Sequence, residues 1–389
     1  MKYCIHRSVL GTDAHLVIDD GYTWVSKAPE GCWMFGDKSG IMSLDKISKL
    51  FRMDIPAFVS LPQAKFFLSL GIKPHEVSWQ KALNAQTYKE TIKGLIDGCS
   101  DVVDAFEESG YENTYLNNQR FLESLQEAHI DTDALARALR SETDPGQTTN
   151  LRSFKADGGI ARKVVYDTCA TSTGRMTVVD GPKILTLKRE HRSIVKSRFE
   201  RGEIISIDYS SLEPRIALAL QGHSPQGDVY SWIDDSIFNG NLGRATAKIL
   251  TLSIIYGMSI HTAGRKYGKI TAKQKKQLRK IFGIDEIEDQ DLEHNAYGRP
   301  IYPDSDRKRF NAYIQSTAVD AAVLGFSKIA KMGGCEAVPL FLIHDELVCD
   351  VPEGYSNLLK RILKDGITID LLGKPTNLEV KVEKFSGSD

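Results

Sequence analysis

The chain has 389 residues, 41% hydrophobic and 26% charged, with a formal net charge of −1. That length predicts two or three structural units with ample core, and neither glycine nor proline is frequent enough for a fibrous or disordered class. Six scattered cysteines with no C-x-x-C pair argue against a disulfide frame or zinc site, and the lack of a long apolar run predicts a soluble intracellular protein without a membrane partner.

The first hundred residues alternate strand-like runs, "HLVIDD", "YTWVSK" and "CWMFG", with helical stretches. Helical periodicity follows over 117–140, through Phe121, Leu122 and Leu125 and then, past a break, Leu135 and Leu139. The polar "SETDPGQTTN" (141–150) predicts a linker. From Arg152 to Arg201 the chain carries 12 Lys/Arg against 5 acids, which suits either a groove for a polyanion or a solvated face balanced elsewhere. "EIISIDYSSLEPRIALAL" (203–220) begins as a β-branched strand and becomes a helix, with Pro214 tolerable in the first turn. The turn "NGNLG" (239–243) introduces a helix over roughly 243–257, and the basic run 265–280 follows with eight cations and no acid. The C-terminal part predicts strands near 338–343 and 347–351, a helix over 355–365 and a strand over 377–384.

Two acids stand at strand ends. Asp208 closes "IISI", where an acid commonly caps the following helix. Asp345 lies between "VPLFLI" and "LVCDV", like the turn of a hairpin, and strand alternation sends Glu346 to the other face. If the two aspartates meet across a sheet, their oxygens suit a hard cation such as Mg²⁺, and a pair of such ions can clamp a phosphoryl transfer. On the 243–257 helix, Arg244, Lys248, Leu252 and Tyr256 follow at steps of four and share one face. Two cations beside a helix N-terminus would hold a triphosphate, although either feature alone reads as an ordinary surface.

Six segments, in order over residues 171–389, resemble the family A DNA polymerases, the DNA polymerase I family. They are "TSTGRM", "DYSSLEPR", "RATAKILTLSIIYGMS", "YGRPIYPD", "RKRFNAYIQSTAVD" and "IHDELV". The resemblance implies an α+β right-hand polymerase fold with an antiparallel palm sheet, helical fingers and a reduced thumb. An N-terminal α/β domain, derived from a 3′–5′ exonuclease, would precede these parts. The expected divisions are 1–110 for that domain, 111–175 for thumb and junction, 176–220 for the first palm part, 221–303 for fingers and 304–389 for the second palm part.

It further implies a template-directed DNA polymerase using two Mg²⁺ ions, with Mn²⁺ as a substitute, on primer–template DNA and dNTPs. Asp208, Asp345 and the Tyr209 carbonyl would hold the ions, with Glu346 auxiliary. Arg244 and Lys248 would grip the triphosphate, Lys248 also serving as the proton donor to the leaving group. Tyr256 and Glu213 would wall off the 2′ position, with Leu252 and His344 also at the nucleotide. Arg175, Arg307, Asn311 and Gln315 would contact DNA.

The departures are equally specific. Leu252 replaces an aromatic, Ser211 and Pro214 replace the usual Gln and Leu, and the Gln-Asn pair expected after "TGRM" is missing. A small thumb implies weak grip on DNA, so a processivity or replication partner protein is expected. In the N-terminal segment that faintly resembles an exonuclease motif (58–79), Phe67 stands where a catalytic aspartate would be, Leu61 or Pro62 replaces an asparagine, and Asp19 and Asp20 form no D-x-E pair, so proofreading is not expected. Such economy suits a bacterial or phage-infected cytoplasm. The competing readings are a single-subunit RNA polymerase or primase-like enzyme, against which Glu213 argues, and a degenerate DNA-binding relative, against which the paired aspartates argue.

Overall fold

The computed structural model describes residues 1–37, 40–258, 262, 270–332 and 336–386, which divide into two compact units, Met1–Leu116 and Asn117–Asp389. Part of the basic 265–280 run, Cys335 and the side chain of Arg307 lie outside the described residues.

The first unit is built on a mixed sheet of β1 (Tyr3–Ile5), β2 (His15–Ile18), β3 (Tyr22–Val25) and β4 (Trp33–Phe35), in the order β3-β2-β1-β4. Strand β1 runs parallel to β4 and antiparallel to β2. Helix α1 (Leu44–Phe51) buries Leu44, Ile47 and Leu50. The short α2 (Pro62–Ser69) starts on a proline, and its Phe67 packs edge-on to Trp79 at 5.7 Å. Helix α3 (Ala85–Ser109) starts at Asn84, whose side chain accepts from the Thr87 N–H, and stops at Gly110, φ 70°. Its Leu95, Cys99, Val102 and Phe106 recur every three to four residues and form one buried stripe.

The second unit corrects two sequence expectations. The helical reading of 117–140 splits into α4 (Glu112–Ser124), β5 (Ala128–Ile130) and α5 (Thr132–Ser141). The Gln126 N–H donates to the Pro339 carbonyl at 2.8 Å, drawing the chain into extended pairing, and Asp131 restarts the helix by accepting from the Ala134 N–H. The expected linker 141–150 instead opens helix α6 (Pro145–Ser153). Asp144 caps it through the Gly146 N–H at 2.7 Å, and Pro145 needs no N–H in the first turn. A Pro-Gly pair that reads as a turn thus serves as a helix start.

The main sheet of the second unit has four strands: β6 (Glu203–Tyr209), β7 (Val338–Ile343), β8 (Glu346–Val351) and β9 (Val380–Lys384), in the order β7-β8-β6-β9. All pairings are antiparallel. β6 places Ile205, Ser206 and Ile207 in the core and turns Asp208 out at its end. Between β8 and β9 the chain makes helix α12 (Tyr355–Ile362) and a separate two-stranded hairpin, Ile367–Leu371 with Lys374–Leu378.

Helix α7 (Leu212–Leu220) follows β6, with Pro214 in its first turn as expected. A second apolar cluster gathers α8 (Val229–Ile233), α9 (Arg244–Ile255) and α10 (Ala272–Phe282). Helix α11 (Arg309–Lys331) is buried along most of its 23 residues. Tyr209 anchors β6 to it: the phenol donates to the Ala322 carbonyl at 3.2 Å, and the ring lies 4.9 Å from that of Phe326. Gly325 makes that approach feasible, because a Cβ there would stand 2.0 Å from the Tyr209 hydroxyl. Among the described residues no helix is long and apolar enough to cross a membrane.

Candidate active site

Asp208 faces Glu346 on one neighbouring strand and Lys381 on the other. Asp345 occupies the tight turn between β7 and β8, and its carbonyl accepts from the Tyr209 N–H at 3.2 Å, tying the two acidic segments together. His344, just before it, holds the left-handed conformation at φ 58°, as does Ser211 after β6 at φ 59°. Left-handed backbone in non-glycine residues costs roughly 1–2 kcal/mol each, so the surrounding sheet must enforce both turns.

Desolvation and the neighbouring Asp345, Glu346 and Glu383 push the Asp208 carboxyl up to about 7, with Lys381 pulling the other way. Asp345 is also raised, mainly by burial. Glu346 takes a different part from the aspartates. Arg192 grips it with two hydrogen bonds, 3.1 and 3.3 Å, and lies 4.6 Å over the Phe385 ring. Glu346 therefore contributes charge beside Asp208 while its oxygens are already engaged.

These acids open onto a cleft of about 770 Å³ within the second unit. Arg244, Lys248 and Leu252 of α9, with Tyr256 at its C-terminal cap, line one side, so the steps of four do form a single face. The helix starts where Asp234 accepts from the N–H groups of Leu242 and Gly243, at 3.0 and 2.8 Å. Arg244 pairs with Asp228 at 2.7 Å, and both Arg244 and Lys248 lie close to 6 Å from the Tyr230 ring centre.

On the facing side, Glu213 accepts from Arg175 at 3.2 Å through Oε1, while Oε2 is buried without a hydrogen bond among the described residues. Tyr256 lies beside it; burial first and the Glu213 charge second push its phenol up to about 12. With its amide oxygen turned toward Arg175, Gln315 accepts from that guanidinium at 2.7 and 3.2 Å and donates to Thr173 Oγ1 at 2.7 Å.

The 171–175 segment is held from below. Arg299, 2% exposed, makes a bidentate pair with Asp320 at 2.9 and 3.0 Å and donates to the Thr168 carbonyl. Asn118 and Asn295 donate to the same carboxylate. A Cβ on Gly174, φ 74°, would meet the Arg299 guanidinium at 2.7 Å, so the loop carrying Arg175 rests directly on this buried charge.

Of the expected residues, Asp208, Tyr209, Asp345, His344, Glu213, Arg244, Lys248, Leu252, Tyr256, Arg175 and Gln315 all line the cleft. Asn311 is half-buried and outside that lining, its Oδ1 without a hydrogen bond among the described residues. Sequence reading missed Asp228, Tyr230, Lys381, Arg192 and the Arg215–Glu379 pair. Asp228 carried a legible signal as an acid ahead of a short apolar helix, whereas cross-strand neighbours such as Lys381 need the sheet register.

Away from the cleft, Glu142, Glu190 and His191 lie at metal-like spacing. There Glu142 already receives Lys188 at 3.2 Å and His191 at 2.7 Å, so its charge is balanced.

No protein-family model matches the chain. Over 268 residues, 56% of this chain, it is 24% identical to the thermostable DNA polymerase I of Thermus filiformis, and over 255 residues it is 24% identical to DNA polymerase I of Streptococcus pneumoniae. The matched regions span 31% and 29% of those relatives' own lengths. In fold, the polymerase domain of Pol1 from M. smegmatis, solved with DNA primer–template and dNTP, superposes with a TM-score of 0.62 at 15% identity, covering 99% of this chain and 95% of that one. The architecture is therefore a polymerase fold. In sequence the chain is similar to DNA polymerase I over about half of its own length.

Proposed function

We propose that the chain is a template-directed DNA polymerase that adds deoxynucleotides to a primer 3′-hydroxyl. The observation that carries this reading is the union, in one cleft, of two strand-end aspartates with the Arg244–Lys248 face of α9. The donor set around Asp208 is all oxygen and has excess negative charge, which fits a hard divalent cation. Asp208, Asp345 and the Tyr209 carbonyl would hold two such ions; Mg²⁺, with Mn²⁺ as substitute, would there polarise the 3′-hydroxyl and steady the departing pyrophosphate.

The chain's own groups do the remainder. Arg244 and Lys248 orient the triphosphate, and Lys248 supplies a proton to the leaving oxygen. Tyr256, Glu213 and Leu252 shape the sugar pocket so that a 2′-hydroxyl meets a wall and a carboxylate, and His344 flanks the primer end. Arg175 and Gln315, with Asn311 and Arg307, track the minor groove, where the two kinds of base pair share acceptor positions. We assign residues 1–110 to an exonuclease-like remnant without catalytic carboxylates, 111–175 to thumb and junction, 176–220 and 304–389 to palm, and 221–303 to fingers. A replication or processivity partner would compensate for the small thumb, in a cytoplasmic setting.

Primer extension on a defined template tests the reading. Extension with dNTPs, little with NTPs, loss in Asp208→Asn, and no primer shortening when dNTPs are withheld are expected. Preferential NTP use would favour the RNA polymerase reading, and failure of wild-type extension would favour a degenerate DNA-binding relative.

A further inference from the structure

Helix α8 meets the fingers cations with two different side chains, and the two act in opposite senses. Asp228 accepts from Arg244 Nη2 at 2.7 Å through one oxygen. Its other oxygen accepts from the Ser231 N–H at 2.8 Å and the Ser231 hydroxyl at 2.9 Å. The preceding residue is fixed as well: the Gly227 N–H donates to Glu379 at 2.8 Å, and Glu379 is paired with the buried Arg215 at 2.7 Å. The acid therefore cannot follow Arg244 into the cleft, and a guanidinium that turns to a phosphate must leave it.

Lys248 has no carboxylate partner among the described residues; its ammonium lies 5.8 Å from the Tyr230 ring centre, and Arg244 lies 5.9 Å from the same ring. Two like charges one helical turn apart repel, and the negative face of an aromatic ring offsets part of that cost. Tyr230 is itself 4% exposed, so the platform is rigid.

We propose that α8 sets the affinity of the cleft for a triphosphate: Asp228 is a fixed anionic competitor for Arg244, and Tyr230 is the positioning residue that presents both cations. This rests on the polymerase reading above and deepens it. The consequence is a pocket that binds polyphosphate less tightly than its cations allow, which favours release of the pyrophosphate product.

Equilibrium binding of dATP and of inorganic triphosphate, in Mg²⁺, tests this on the full chain. Asp228→Asn keeps the helix cap and removes the competing charge, so both ligands should bind about two- to fivefold more tightly. Tyr230→Leu removes the ring and should weaken both by about three- to tenfold, while Tyr230→Phe stays within about twofold. A merely structural role for α8 predicts weaker binding in both Asp228→Asn and Tyr230→Leu, and unchanged or weaker binding in Asp228→Asn overturns the proposal even if Tyr230→Leu does not fold. Lys248→Ala separates the two levels. If it leaves binding unchanged, the polymerase reading falls and takes the inference with it. If it weakens binding while Asp228→Asn fails to tighten it, only the inference falls.

Discussion

Asp208 sits among more negative charge than Lys381 can balance, and this decides how it behaves with pH. Its folded-state pKa of about 7 lies above the ordinary carboxyl value, so the folded protein holds this proton more tightly than the unfolded chain. For the metal-free protein the group's contribution to stability is therefore greatest at acidic pH and declines as pH rises toward 7. A divalent cation held by Asp208, as proposed above, would compete with the same proton, so its stabilising effect would grow as pH rises. We expect the rise in melting temperature on adding saturating Mg²⁺ to be larger at pH 8 than at pH 6, and to shrink in Asp208→Asn. Differential scanning fluorimetry at the two pH values reads both, and an equal rise at pH 6 and pH 8 would count against Asp208 as a ligand.

At the scale of elements, α11 is the support on which the cleft is assembled. It carries Gln315 into the site, receives the Tyr209 phenol and buries Asp320 against Arg299. Removing one partner of a buried ion pair leaves the other charge uncompensated, at a cost of roughly 3–5 kcal/mol. Asp320→Asn should therefore lower stability to denaturant by about that amount, whereas Asp228→Asn, at a half-exposed pair, should change it by less than about 1 kcal/mol.

The elements that carry chemistry were largely legible in the sequence, because strand ends, the Pro214 start and the four-residue steps of α9 are local signals. The stretch 117–150 misled for a reason just as local. Asp131 and Asp144 are caps, and without that reading the break near 126–131 does not show as a strand and 141–150 reads as a linker rather than a helix start. What no local pattern encodes is pairing across the chain. The Arg192–Glu346 contact spans 154 positions and the Asn118–Asp320 contact 202, so Glu346 reads as a free acid until its guanidinium is found.

For the whole molecule, the order in which strands are laid down has a consequence for synthesis. Strand β6, which carries Asp208 near its end, pairs among the described residues with β8 and β9, whose residues begin at Glu346 and Val380. A nascent chain thus carries a β-branched central strand with both edges open until the segments from Glu346 and from Val380 have been made. Such unpaired edges invite pairing with other chains, and long-range closure of this kind is slow. We expect ribosome-bound chains halted near residue 330 to leave the Glu203–Tyr209 segment open to protease, and full-length chains to protect it. Equal protection in the halted chain would contradict this order of events. The same topology that brings Asp208 and Asp345 to one end of the sheet therefore delays closure of that sheet well beyond the making of β6, and the waiting strand is a natural segment for a chaperone to shield.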